Sequence, residues 1–324
     1  MRTNSGLRFT AKSIATFVAA AIVLTLTACA PTTQHPKTAE FLQGKFSAAG
    51  VEGFTPGEID YGFTLEALTQ LWATGTNTDA EVKAAAASLW QSSDVSDKTS
   101  YLFDQKNGQL KAGLAGKALV FGKLYGQMGS GTFKGIVGSL ALAVSAGGKI
   151  AGSEGNVFDY GWTTLALKAA QVQQANLVAV NLALLAREDG GFGTDLSVNT
   201  AGSSADATGM ALMALIATKG AGTTAQEASK DAAIVAAKAW LVKNTVDANH
   251  FEAWGDIDVN STAYAIMGLK ANGENTSTYQ EWLQERVVAD GGIASAWSSG
   301  GGDTFATIQG LLALDGRSYN ELLG

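Results

Sequence analysis

Apolar residues recur at helical spacing along most of the chain, and the pattern repeats. A Thr or small residue is followed by apolar positions ending in Leu or a small residue seven places on. It reads Thr64-Leu-Glu-Ala-Leu-Thr-Gln-Leu71, and again from Thr163, Thr208, Thr262 and Thr307, with a weaker copy from Ala115. Successive starts are 51, 48, 45, 54 and 45 residues apart, so six units of about 49 residues account for the chain after its first few dozen positions. A fixed period of this length marks a repeat architecture. Each unit has a second helical stretch upstream, at roughly 38–48, 79–91, 132–146, 173–187, 224–243 and 278–288. The downstream stretches are almost uncharged and read as buried on all sides, whereas the upstream ones are amphipathic and read as an outer layer. Between the two lie glycine-marked joints, such as Asp189-Gly-Gly-Phe-Gly193 and Asp290-Gly-Gly-Ile293. Glycine there ends one helix and lets the chain double back before an apolar residue plugs the joint. The pattern predicts an all-α ring of six hairpins with inner and outer helices.

Composition narrows the chemistry. The 324 residues hold 39 Gly, 3 Pro, 2 His and a single Cys. One cysteine forms no internal disulfide, and two histidines supply no three-His metal site. With 29 acidic against 22 basic residues, the balance opposes a nucleic-acid partner.

The N-terminus is basic, with Arg2, Arg8 and Lys12, then apolar from about 14 to 26, too short for a membrane span. It ends Leu26-Thr27-Ala28-Cys29, which resembles the bacterial lipoprotein signal box. The resemblance implies a signal peptide over 1–28, a diacylglyceryl group on Cys29, a tether over 29–37 and a single domain over 38–324. The alternative is an ordinary signal peptide cut near Ala28 or Ala30. Losing three basic residues would move the formal charge from −7 to −10. The expected location is the extracytoplasmic face of a bacterial cell membrane, held by lipid.

Asp189-Gly-Gly-Phe-Gly193 followed by Ala205-Asp-Ala-Thr-Gly-Met-Ala-Leu-Met-Ala-Leu215 resembles the repeat of the terpenoid cyclase and protein prenyltransferase β-subunit superfamily. So does Gly255-Asp-Ile-Asp-Val-Asn-Ser-Thr-Ala-Tyr-Ala-Ile-Met-Gly-Leu269. The resemblance runs from about Ala39 to the end and implies an α6/α6 toroid. It does not imply one function, since the fold also carries thioester domains and intrinsic-factor-type cobalamin carriers. The zinc set of the prenyltransferases (Asp, Cys, His) is missing once Cys29 is lipidated. The Cys-Gly-Glu-Gln motif of thioester domains is also missing. Class II cyclases protonate an alkene with the middle Asp of Asp-x-Asp-Asp-Thr-Ala. The matching stretch here is Asp258-Val-Asn-Ser-Thr-Ala263, with Asn260 in the donor's place. Asp206 holds that place one repeat earlier, without acidic neighbours.

Counting four back from the repeat position gives Asp60, Asp159, Asp258 and Asp303, with Lys111 and Ser204 in the other two units, and the acids would circle one rim of a ring. These acids read as helix N-caps or as site residues, and one carboxylate can be both. Paired acids beside a groove would serve glycan cleavage. Aromatic residues accompany them: Tyr61, Phe63, Tyr160, Trp162, Trp254, Tyr264, Trp297 and Phe305. They read either as packing between helix layers or as an aromatic, weakly acidic bowl for an apolar or planar ligand. His250 reads as a satisfied or exposed loop histidine rather than a metal ligand.

The favoured reading is a lipid-anchored, non-catalytic binding protein that captures a small ligand at the toroid mouth and hands it to a membrane transporter. No cofactor is expected. A corrinoid such as cobalamin is the specific candidate ligand. In the carriers a β domain covers the ligand, so here a second protein would have to act as lid. The alternatives are an extracytoplasmic enzyme, terpene-cyclase-like or glycan-acting, and a protein-binding scaffold.

Overall fold

The computed structural model describes residues 33–152, 155–198 and 202–323. The predicted signal peptide and Cys29 lie outside them. Among the described residues twelve α-helices form six hairpins: α1 (Pro36–Gln43) with α2 (Tyr61–Ala73), α3 (Ala80–Gln91) with α4 (Ala112–Leu124), and α5 (Gly131–Ala143) with α6 (Val157–Ala169). Then come α7 (Gln174–Ala183) with α8 (Ala205–Ala217), α9 (Thr224–Lys243) with α10 (Val259–Ala271), and α11 (Ser277–Gln284) with α12 (Thr304–Leu314). The even-numbered helices pack in sequence, and α12 returns to α2, closing the inner ring. This is the expected all-α toroid. A short 3₁₀ helix, Tyr319–Leu322, follows α12 and touches α6, α8 and α10. Among the described residues no helix is long and apolar enough to cross a membrane.

The inner helices are buried as their composition predicts. Every residue of α8 from 207 to 215 is out of contact with water. Neighbouring inner helices approach closest where side chains vanish. A Cβ on Gly209 would lie 2.3 Å from the Tyr264 carbonyl oxygen, and one on Gly268 would lie 2.6 Å from the Gly209 oxygen. No side chain fits at that α8–α10 crossing.

The repeat threonine has a structural task. The Oγ1 atoms of Thr64, Thr208, Thr262 and Thr307 accept hydrogen bonds from the backbone N–H of Val51, Phe192, Phe251 and Ile293, at 2.9–3.0 Å. Those four joint residues are the buried apolar plugs. Each threonine therefore pins a joint to the inner helix beneath it. The unit starting at Ala115 has no hydroxyl to offer, and Thr163 Oγ1 is buried without a partner.

The chain departs from the periodic pattern in two joints. The stretch predicted as helix over 38–48 stops at Gln43. There Phe46 turns into the core and a hairpin forms, β1 (Phe46–Ser47) with β2 (Gly50–Val51), Phe46 opposite Val51. Gly50, at φ +134, permits the reversal. A second hairpin, β3 (Glu252–Ala253) with β4 (Asp256–Ile257), stands between α9 and α10.

Candidate functional site

The inner helices all start on one side of the ring, so their N-terminal ends form a single rim. Asp60, Asp258 and Asp303 are N-caps there, their carboxylates accepting from the backbone N–H of Phe63, Ser261 and Ala306 at 2.8–3.0 Å. This favours the helix dipole and satisfies an otherwise orphaned donor. Asp159 differs. Helix α6 starts earlier than the repeat count suggests, Asn156 is its cap, and Asp159 sits buried in the first turn beside Gly113.

Within the rim opens a cavity of about 710 Å³. Ten of the sequence candidates line it: Phe63, Trp162, Asp206, Trp254, Asp258, Asn260, Tyr264, Trp297, Asp303 and Phe305. Phe54 and Phe158 add to its walls. Phe63 and Phe305 stack at 4.6 Å, and Phe54 stands edge-on to both. Phe54 is 80% exposed at the mouth, because Val51 takes the buried place in that joint. Trp254 and Trp297, on the joints before α10 and α12, are likewise exposed.

The remaining candidates lie elsewhere. Asp60, Tyr61 and Asp159 line a shallower groove of about 400 Å³ between α2, α4 and α6, which shares Lys117, Phe158 and Trp162 with the central cavity. Tyr61 stacks on Tyr101 at 4.7 Å. Tyr160 belongs to neither. It is buried against the α5–α6 loop, where its hydroxyl accepts from the Ile150 N–H at 3.5 Å, and burial raises its pKa. His250 is buried, stacked on Trp282 at 4.8 Å and bonded through Nδ1 to Asn249. Among the described residues no cluster of three or more His, Cys, Asp or Glu is placed to hold a metal.

Asp206 lines the cavity from the first turn of α8, and its carboxyl pKa is raised. Burial pushes its pKa up, the Ala207 N–H at 2.8 Å works against the rise, and the Asp258 charge adds to it. It stands two residues before Thr208, the station that Asn260 occupies before Thr262. The structure thus brings the acid and its amide counterpart to the same chamber. Asn260 donates to Gln309 Oε1 at 2.8 Å.

Below the aromatic walls lies a polar network that the sequence reading missed. Glu66 is fully buried. Its Oε1 accepts from the hydroxyls of Tyr264 (2.6 Å) and Tyr319 (3.0 Å), and its Oε2 pairs with Lys117 Nζ at 2.7 Å. Gln70 Nε2 donates to the Tyr319 hydroxyl at 2.9 Å. Burial, reinforced by the Glu66 charge, holds both tyrosines well above the ordinary phenol range. The signal was available: Glu66 and Lys117 are charges in mid-helix, within stretches otherwise free of charge.

No sequence-family profile and no curated protein matches the chain. Solved structures do. A type II terpene cyclase, MstE from Scytonema, aligns over 86% of this chain and 96% of its own, with a TM-score of 0.60 at 16% identity. The form of that enzyme bound to its substrate, geranylgeranyl dihydroxybenzoate, gives a TM-score of 0.61 over 88% of this chain and 96% of its own, again at 16% identity. An unsaturated glucuronyl hydrolase specific for heparin aligns over 87% of this chain and 94% of its own, with a TM-score of 0.58 at 12% identity. The chain therefore has the α/α-toroid fold of the terpenoid-cyclase type, a fold whose neighbours here act on isoprenoid and on glycan substrates.

Proposed function

We propose that this protein is an enzyme that binds a largely apolar, alkene-containing small molecule in the toroid mouth and protonates it from Asp206. The observation carrying this reading is the displaced Asp206 carboxyl in an aromatic chamber. Burial keeps the acid protonated to higher pH than a free carboxyl, which suits a proton donor. In the proposed step the Asp206 O–H breaks as a C–H bond forms on the alkene, leaving a carbocation on the adjacent carbon and a carboxylate on the enzyme. The faces of Trp162, Phe158, Phe63 and Phe305 present their negative quadrupoles to that cation. Loss of a proton back to the carboxylate, directly or through water, ends the cycle. The neighbouring folds being enzymes supports catalysis, and the isoprenoid ligand of one of them supports the substrate class.

A second reading is capture without turnover. It is favoured by the residues beside Asp206: Ser204 and Ala207 stand where acidic cyclases place further carboxylates. Cobalamin remains a proposed ligand under that reading. Anchoring through Cys29 on the outer face of a bacterial membrane, with delivery to a transporter, is likewise proposed from the N-terminal motif alone.

The test is to incubate the purified full chain with a panel of prenols and prenylated aromatics and separate products from substrates by gas chromatography. An isomer or hydrate formed by the wild type and not by Asp206→Asn supports the enzyme. Binding of the panel or of cobalamin with every substrate recovered intact supports capture. Binding of none contradicts both.

A further inference from the structure

The polar network beneath the mouth has a regularity that core packing does not require. Glu66, Lys117, Tyr264 and Gln309 each stand two residues after the repeat position of their inner helix. Leu165 and Met210 hold that station in the other two units. The station lies four residues further along each helix than that of Asp206 and Asn260, about 6 Å deeper into the ring. A buried ion pair is weak support for stability and is often replaceable by apolar side chains. Four polar residues at one level of an otherwise apolar barrel therefore ask for another explanation.

Their hydrogen bonding supplies one. Glu66 is saturated by Tyr264, Tyr319 and Lys117. Lys117 spends one proton on Glu66, reaches the Gly62 carbonyl only at 3.4 Å, and faces the cavity with a donor to spare. Gln309 uses its Oε1 to accept from Asn260, which leaves its amide N–H groups for the cavity. The floor thus presents spare donors, with the Lys117 charge already neutralised by Glu66. The rim presents the opposite, the carboxylates of Asp258 and Asp303 beside the Asp206 acid.

Resting on the substrate class proposed above, we infer that the floor is a seat for a neutral acceptor oxygen. The ligand enters oxygen end first, its hydroxyl, ether or carbonyl oxygen on Lys117 and Gln309, and its hydrocarbon body lies along the aromatic wall toward Asp206. A phosphate or carboxylate head is opposed by the acidic rim and finds no unneutralised cation at the floor. The seat sets the ligand's direction, and so which carbons face the acid.

The experiment compares four probes of one carbon skeleton by native mass spectrometry of the full chain: farnesol, farnesyl methyl ether, farnesene and farnesyl diphosphate. The seat predicts that the alcohol and the ether bind roughly tenfold more tightly than the hydrocarbon, a preference of the size one charge-assisted hydrogen bond supplies. The diphosphate binds more weakly than the alcohol. In Gln309→Met the preference for oxygen shrinks while farnesene binding holds. Lys117→Met does the same where its melting curve shows a folded protein. Equal binding of farnesol and farnesene by the wild type overturns the seat and leaves the apolar cavity standing. Preferential binding of the diphosphate overturns the neutral head. Binding of no probe removes the cavity reading and the seat together.

Discussion

Trp254 is the residue whose placement is hardest to explain by folding. It sits at the tip of the β3–β4 hairpin with φ +54, followed by Gly255 at φ +84, and is 90% exposed. Two successive positive φ values make a turn that favours Asn-Gly. An aromatic residue there costs about 1–2 kcal/mol in backbone strain and recovers little by packing. Its place over the cavity offers a use for that strain. Trp254→Asn should leave the melting temperature unchanged or raise it, while weakening ligand binding; a lowered melting temperature would make Trp254 a structural residue. Asp206 carries a similar conflict. Its pKa is higher folded than unfolded, so its ionised form destabilises the fold at neutral and alkaline pH. That cost fades as pH falls through the raised value toward the unfolded one, about 3.9. Asp206→Asn should therefore raise the melting temperature at pH 8 and change it little at pH 3. Turnover by the wild type should fall as pH rises through the raised pKa, since the acid must hold its proton. Turnover that instead climbs with pH would make Asp206 something other than the donor.

At the scale of elements, the repeat threonine links sequence period to ring geometry. Thr307 Oγ1 accepts from Ile293 at 2.9 Å and donates to the Asp303 carbonyl at 2.6 Å, joining cap, joint and helix. Thr307→Val should cost about 1–3 kcal/mol in urea unfolding, because the buried Ile293 N–H loses its partner. Thr163→Val removes a hydroxyl with no partner and should be neutral or stabilising. Equal losses at both sites would contradict this account of the repeat. The period itself was legible because each inner helix must be apolar all round and each joint must reverse the chain. The hairpins were not legible, since two-residue strands carry no alternation. The cavity was legible in part. Trp254, Asp206 and Asn260 stand near helix starts, where the repeat count places them on one rim. Tyr160 takes the packing place, one of the two its sequence position allows, since a buried tyrosine with a backbone partner has the same neighbours in sequence as one lining a mouth. Glu66 and Lys117 lie 51 residues apart, and only the closing of α2 against α4 shows that they pair.

For the whole molecule, the two ends of the ring are chemically distinct. The mouth is at the helix N-termini. Thr33, the first described residue, is held at the opposite end. Its N–H donates to the Thr74 carbonyl and its hydroxyl to Asp315, the C-caps of α2 and α12. Four Cα-to-Cα steps lead from Cys29 to Thr33, a reach of about 14 Å, less than the roughly 20 Å length of a 13-residue inner helix. A lipid on Cys29 would hold the base of the toroid toward the membrane and turn the mouth away from it. Cys29→Ser should then move the protein from the membrane pellet to the soluble fraction without altering ligand binding. A variant that stays in the pellet would contradict the anchor.

The central claim is that the chamber at the mouth binds a mostly apolar ligand and that Asp206 acts on it. The most direct test measures binding and turnover together, in wild type and Asp206→Asn, with the prenol panel. The account predicts that both proteins bind the same prenols with similar affinity and that only the wild type converts them. Equal conversion by both proteins, or binding by neither, would contradict it.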